Sequence, residues 1–125
     1  MRVLLELELE GLPPTVNGMY RSMKGGQRYK VGECRSYQER VSGLMRRRWE
    51  QNEPYLGQAE LKIEYRTKDR RRWDIDNRVK ALQDCLISSG VLKDDCQIDS
   101  LQVRRLHSDA TSTYLRLSEY ESNST

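Results

Sequence analysis

AELKIEYRTKDRRRWDIDNRVKALQDCLISSGVLKDDCQI, residues 59–98, is the stretch whose reading decides the fold. Ala59, Leu61, Ile63, Tyr65 and Thr67 alternate with Glu60, Lys62, Glu64 and Arg66. A period of two gives an extended strand one apolar and one charged face. From about Asn77 to Ser89 the period lengthens. Val79, Leu82 and Leu86, with Ala81 and Cys85 beside them, share one helical face, and Gly90 is placed to end the helix. Strand character returns at residues 98–106. A strand, helix and strand in succession favour a right-handed crossover between parallel strands.

The flanks extend this unit in both directions. Val3, Leu5, Leu7 and Leu9 alternate with Leu4, Glu6, Glu8 and Glu10, a strand ended by Gly11 and the Pro13-Pro14 pair. Residues 11–32 show no period, carry Gly-Gly, Pro-Pro and Asn-Gly breakers, and read as a long loop. That loop holds Arg21, Lys24, Arg28 and Lys30 and no acid. From Cys34 to Gln51, Tyr37, Val41, Leu44, Met45 and Trp49 fall at helical spacing, with Arg46-Arg47-Arg48 on the polar side. Residues 113–119 give a last strand, joined to 98–106 by a turn at His107–Ser112 and expected to pair with it as an antiparallel hairpin; 120–125 read as a frayed tail. The expected fold is α+β (mixed α/β): a single layered domain across 1–125, ordered β-α-β-α-β-β, with helices packed on a small mixed sheet.

Composition fits one such unit. At 125 residues, with 36% hydrophobic and 33% charged, the chain has a lean core and a heavily charged surface. Part of its apolar surface is therefore expected to be covered by a second subunit. Twenty-two Lys and Arg against 19 Asp and Glu give a net charge of +3 at pH 7, a weak pointer to polyanions on its own. Three cysteines without a CxxC pair give neither a disulfide framework nor a zinc site, are expected to pack as small apolar groups, and suit a reducing cytoplasm. The first ten residues alternate Leu with charge and do not read as a signal peptide, and no run suits a membrane span.

The chemistry is concentrated where the acids are. Seven of the eight Asp lie between residues 69 and 99. Asp74 and Asp76, two apart, point to one side of an extended segment, within reach of a shared hard cation. Asp94 and Asp95 follow the helix on a loop that packing can return to the same region. Carboxylates gathered there need a counter-charge, and an oxygen-only donor set suits Mg²⁺, with Mn²⁺ as a substitute. Around these acids the chain is basic: Arg70, Arg71 and Arg72 adjoin Trp73 and Asp74, and Lys80 lies one helical turn after Asp76. An acidic metal pocket rimmed by Arg suits phosphodiester hydrolysis, the rim holding flanking phosphates. Plainer readings exist for each piece. Asp76 can cap a helix, Asp94-Asp95 can form an ordinary turn, Arg70–Arg72 can be a solvated run, and Asp84 can pair with Lys80 along the helix. His107 is expected to face solvent, and Trp49 and Trp73 to pack in the core or its rim.

Taken together, RRRWDIDNRVKALQDCLISSGVLKDDCQI resembles the signature of the RusA family of Holliday junction resolvases, and LPPTVNGMYR is similar to that family's Pro-Pro and Asn segment. The resemblance implies a homodimeric, metal-dependent endonuclease that resolves four-way DNA junctions by paired symmetric nicks in recombination and repair, leaving 5′-phosphate and 3′-hydroxyl ends. It assigns metal binding to Asp74, Asp76 and Asp95 and the essential-lysine position to Lys80, with Asn77 and Asp94 as supporting motif positions. DNA contacts fall to Arg70, Arg71, Arg72, Lys24, Arg28, Lys30 and Asn17, with Arg46–Arg48 as further backbone contacts. Trp73 departs from the family pattern, in which basic residues often run up to the first acid. The rival readings are a non-catalytic branched-DNA-binding module and a metal-dependent hydrolase of nucleotides.

Overall fold

A computed structural model describes residues 1–15, 28–68 and 73–121, and the side chains of these except 28–31. In chain order the elements are strand β1 (Val3–Glu10), helix α1 (Arg28–Trp49), strand β2 (Ala59–Thr67), helix α2 (Val79–Ser88), strand β3 (Ile98–His107) and strand β4 (Ser112–Glu119). A 3-10 turn precedes α2 (Ile75–Arg78) and another precedes β3 (Asp95–Gln97). The expected mixed α+β order holds.

The four strands form one mixed sheet in the order β1-β4-β2-β3. β2 and β3 pair in parallel across α2, from Ala59 beside Ile98 to Thr67 beside His107. β4 runs antiparallel to both β1 and β2. This corrects one expectation: β3 and β4 are not a paired hairpin. The connection after His107 crosses the end of β2, where the Ser108 N–H donates to the Thr67 carbonyl at 2.9 Å, and seats β4 on the other side. Burial explains the choice. Thr113, Leu115 and Leu117 are buried and belong in the sheet interior, whereas β3 is exposed along most of its length and suits an edge.

One sheet face is dry. Leu5, Leu7 and Leu9 of β1, Leu61, Ile63 and Tyr65 of β2, and Leu115 and Leu117 of β4 meet the helices there. α1 contributes Tyr37, Val41, Met45 and Trp49, and α2 contributes Val79, Leu82, Cys85 and Leu86. Each such fully buried large side chain contributes about 1.5–3 kcal/mol. The opposite face is charged, with Arg66 bridging Glu8 and Glu64 at 2.7 and 3.1 Å and Arg104 paired with Glu64.

α1 begins at Arg28, six residues before the expected start. The basic loop is thereby shortened, and the backbone of Arg28 and Lys30 belongs to the helix. Gly32 lies inside the helix, where a glycine costs only about 1 kcal/mol relative to Ala, which a 22-residue helix absorbs. The helix stops at Trp49 because Glu50 turns left-handed, at φ 57°. Trp49 then donates its indole N–H to the Glu53 carbonyl at 3.0 Å. α2 ends as expected, with Gly90 left-handed at φ 83°.

Candidate active site

Two short segments carry the acids. The first runs from Trp73 into α2. Asp74 is extended, and its carbonyl accepts from the Asn77 N–H at 3.2 Å, starting the 3-10 turn. The Asp74 side chain caps nothing, and α2 starts after Arg78 without any side-chain cap. The capping role open to Asp76 is therefore not taken up. Asp74 and Asp76 are exposed, and neither carboxylate has a hydrogen-bond or ion-pair partner among the described residues.

The second segment, after α2, is held by Gln97. Its side-chain oxygen accepts from the backbone N–H groups of Lys93 and Asp94, each at 2.9 Å. Its amide donates to the carbonyls of Tyr55 at 2.7 Å and Gly57 at 3.0 Å. All four hydrogen-bonding positions of the amide are thus in use, tying the acid loop to the segment before β2. Sequence reasoning missed Gln97, although an Asp three residues before a Gln is a capping-box spacing. Asp94 completes that box by accepting from the Cys96 N–H at 3.0 Å, a bond that holds its carboxyl below the usual range.

Lys80 ties the second segment to α2. Its ammonium lies 3.1 Å from Asp84, the helical pair expected from the sequence, and 3.3 Å from Asp95. The Asp84 carboxylate, followed by Asp95, raises the lysine's pKa and keeps it charged. Asp99, the last acid of the stretch, accepts from the Gln58 amide at 2.7 Å. The acids therefore divide: Asp84, Asp94 and Asp99 have local structural partners, Asp95 faces Lys80, and Asp74 and Asp76 are unpartnered.

Among the described residues, no three acidic, His or Cys side chains are gathered closely enough to hold a metal ion. The donor chemistry of Asp74, Asp76 and Asp95 fits a hard cation, being all carboxylate oxygen and exposed. The single chain does not bring these three into a closed cluster.

The basic rim is described only in part. Asn17, Lys24, Arg70, Arg71 and Arg72 lie outside the described residues, as do the side chains of Arg28 and Lys30. Arg46 and Arg48 are exposed and also bond the protein's own backbone. Arg46 donates to the carbonyls of Ser88 and Ser89 at 2.9 and 3.3 Å, and Arg48 donates to the Glu6 carbonyl at 3.2 Å. The bare carbonyls at the C-terminal end of α2 attract cations, which explains the place of Arg46. His107 is exposed, as expected. Of the cysteines, Cys85 is buried and its thiol pKa is pushed up to about 11, but Cys96 is exposed and does not pack as an apolar group.

The chain matches the family described as Endodeoxyribonuclease RusA over residues 10–118, nearly its whole length. It belongs to the RusA family. It is 31% identical over 96 residues to the crossover junction endodeoxyribonuclease RusA of Aquifex aeolicus (strain VF5), covering 73% of this chain and 71% of that protein. A crossover junction endodeoxyribonuclease rusA from Enterobacteria phage HK97 is 31% identical over 93 residues, 74% of this chain and 76% of the phage protein. The RusA match includes both acid segments, the two helices and all of β2 and β3. Among the described residues, no helix is long and apolar enough to cross a membrane.

Proposed function

We propose that this RusA-family chain is a Mg²⁺-dependent endonuclease that resolves four-way DNA junctions by paired nicks, in recombination and repair, as a homodimer. The observation that carries the reading is the division of the acids. Local structure accounts for Asp84, Asp94 and Asp99, pairs Asp95 with Lys80, and leaves Asp74 and Asp76 without a partner among the described residues. Bare carboxylates facing a polyanion gain nothing from binding alone; their use is to hold a cation.

Asp74, Asp76 and Asp95 would hold the metal. When bound, Mg²⁺ supplies activation of water and neutralisation of charge building on the phosphate. Lys80 stays protonated and stabilises negative charge near the scissile phosphate. Arg70–Arg72 hold flanking phosphates, and the match to a four-way junction comes from its shape more than its bases. A two-fold dimer suits a two-fold substrate, and the exposed Leu101 and Leu106 on edge strand β3 leave apolar surface for a second copy.

The non-catalytic reading draws on one observation, that the described residues of the single chain gather no three-acid cluster. Incubating the protein with synthetic four-way, three-way and linear DNA, with Mg²⁺ or with EDTA, separates the two. The nuclease reading expects nicks in the four-way substrate with Mg²⁺ only. Junction binding without nicking under any divalent metal supports the binding module. A free nucleotide that competes with the junction and is itself hydrolysed supports the nucleotide hydrolase.

A further inference from the structure

Asp74 and Asp76 lack any side-chain restraint, so whatever fixes their position must act through their backbone. Trp73, immediately before them, is the point at which that backbone is held. Its indole meets the ring of the buried Tyr65 edge-on, with centroids 5.3 Å apart and planes at 68°. Two guanidinium groups lie over the indole, Arg78 at 4.9 Å and Arg105 at 5.1 Å from its centroid. Arg105 also donates from Nη1 to the Trp73 carbonyl at 2.9 Å. Arg78 donates to the Pro13 carbonyl, linking the segment that follows β1 to the same cluster. Neither arginine has a carboxylate partner among the described residues, and the Arg78 Nε is buried without a hydrogen-bond partner. Paired cations with no acid between them are costly to place side by side, and the electron-rich indole face is what they share.

Resting on the nuclease reading above, we infer that Trp73 is the anchor of the metal-binding segment and that Arg105, reaching across from edge strand β3, is a positioning residue for cleavage. It fixes the carbonyl and the ring of the residue preceding Asp74, and so sets where the carboxylates stand. Planar stacking together with a directed N–H is a task for a guanidinium, which an ammonium performs poorly. Arg105 is exposed, so its replacement leaves the core in place.

The test compares Arg105→Ala, Arg105→Lys, Trp73→Leu and Trp73→Phe in the full chain. Maximal nicking rate of a four-way junction with Mg²⁺ and junction affinity in EDTA are measured for each. Misplacement of reacting groups by about 1 Å can cost roughly 100-fold. Arg105→Ala and Trp73→Leu are expected to lose about 10- to 100-fold in rate with affinity within twofold of the wild type, Trp73→Phe to keep most of the rate, and Arg105→Lys to recover little. A metal-free readout accompanies these. Trp49 is only 7% exposed, so acrylamide quenching reports chiefly on Trp73 and should rise in Arg105→Ala. Wild-type rate in Arg105→Ala overturns the inference. So does a rate loss matched by lost affinity and restored by Lys, which would make Arg105 a phosphate contact. If the wild type itself does not nick, the nuclease reading fails, while unchanged quenching in Arg105→Ala rejects the anchor separately.

Discussion

Asp94 and Asp95 are adjacent in the chain and take different partners. Asp94 accepts from the Cys96 backbone N–H at 3.0 Å, while Asp95 reaches Lys80 at 3.3 Å, 15 positions earlier. One carboxylate builds the loop and the other pairs with Lys80. Asp94→Ala should therefore lower thermal stability while nicking survives, and Asp95→Asn should leave the melting temperature nearly unchanged while nicking is lost. Melting curves and a junction-nicking assay on the two variants check this; equal loss of nicking in both would erase the distinction.

Glu50 holds a left-handed conformation, φ 57°, at the end of α1. A side chain there costs about 1 kcal/mol, which glycine avoids. Glu50→Gly is expected to stabilise the fold by about 0.5–1 kcal/mol, seen as a higher urea midpoint with an unchanged slope. A lower midpoint would show that the Glu50 side chain has a stabilising role.

The charged sheet face gives a pH dependence. Hydrogen bonds from Arg104, and then Arg66, hold the Glu64 carboxyl below its ordinary value of 4.5. A depressed carboxyl contributes stability that is present above the unfolded value and is lost as pH falls through the folded one. The stability difference between wild type and Glu64→Gln should hold steady above pH 4.5 and shrink as the solution is acidified further. Unfolding midpoints across that range measure it, and a gap that widens on acidification would contradict the assignment.

Phosphate contacts make binding salt-dependent, each contributing a slope of about −0.9 in log affinity against log salt. If Arg70, Arg71 and Arg72 each meet one phosphate, replacing all three by Ala should reduce the slope by about 3. Titrations in metal-free buffer at several salt concentrations provide the figure. An unchanged slope would return the run to the status of a solvated surface.

Much of the fold was legible because alternation is a local signal. Leu5, Leu7 and Leu9 in β1 and Leu61, Ile63 and Tyr65 in β2 each announce a strand with one dry face. Strand pairing is not local. The short turn after His107 suggested a hairpin, and only the burial of Leu115 and Leu117 against the exposure of Leu101 and Leu106 shows that β4 is central and β3 an edge. At the site, the Lys80–Asp84 pair could be read from its spacing of four. The contact of Lys80 with Asp95 required the turn after α2 to fold back, a return expected in outline from the packing of a strand-helix-strand unit. Arg105 over Trp73 had no such cue, because 32 residues and a whole helix separate them. The bonds of Arg46 and Arg48 to backbone carbonyls were not legible either, because composition does not say which acceptors an arginine meets.

The most direct measurement is Mg²⁺-dependent nicking of a synthetic four-way junction by Asp74→Asn beside the wild type, with junction binding followed on the same preparations. Removing a bare carboxylate from the proposed DNA-binding surface should abolish nicking while binding persists or tightens. Nicking at the wild-type rate in Asp74→Asn would contradict the account.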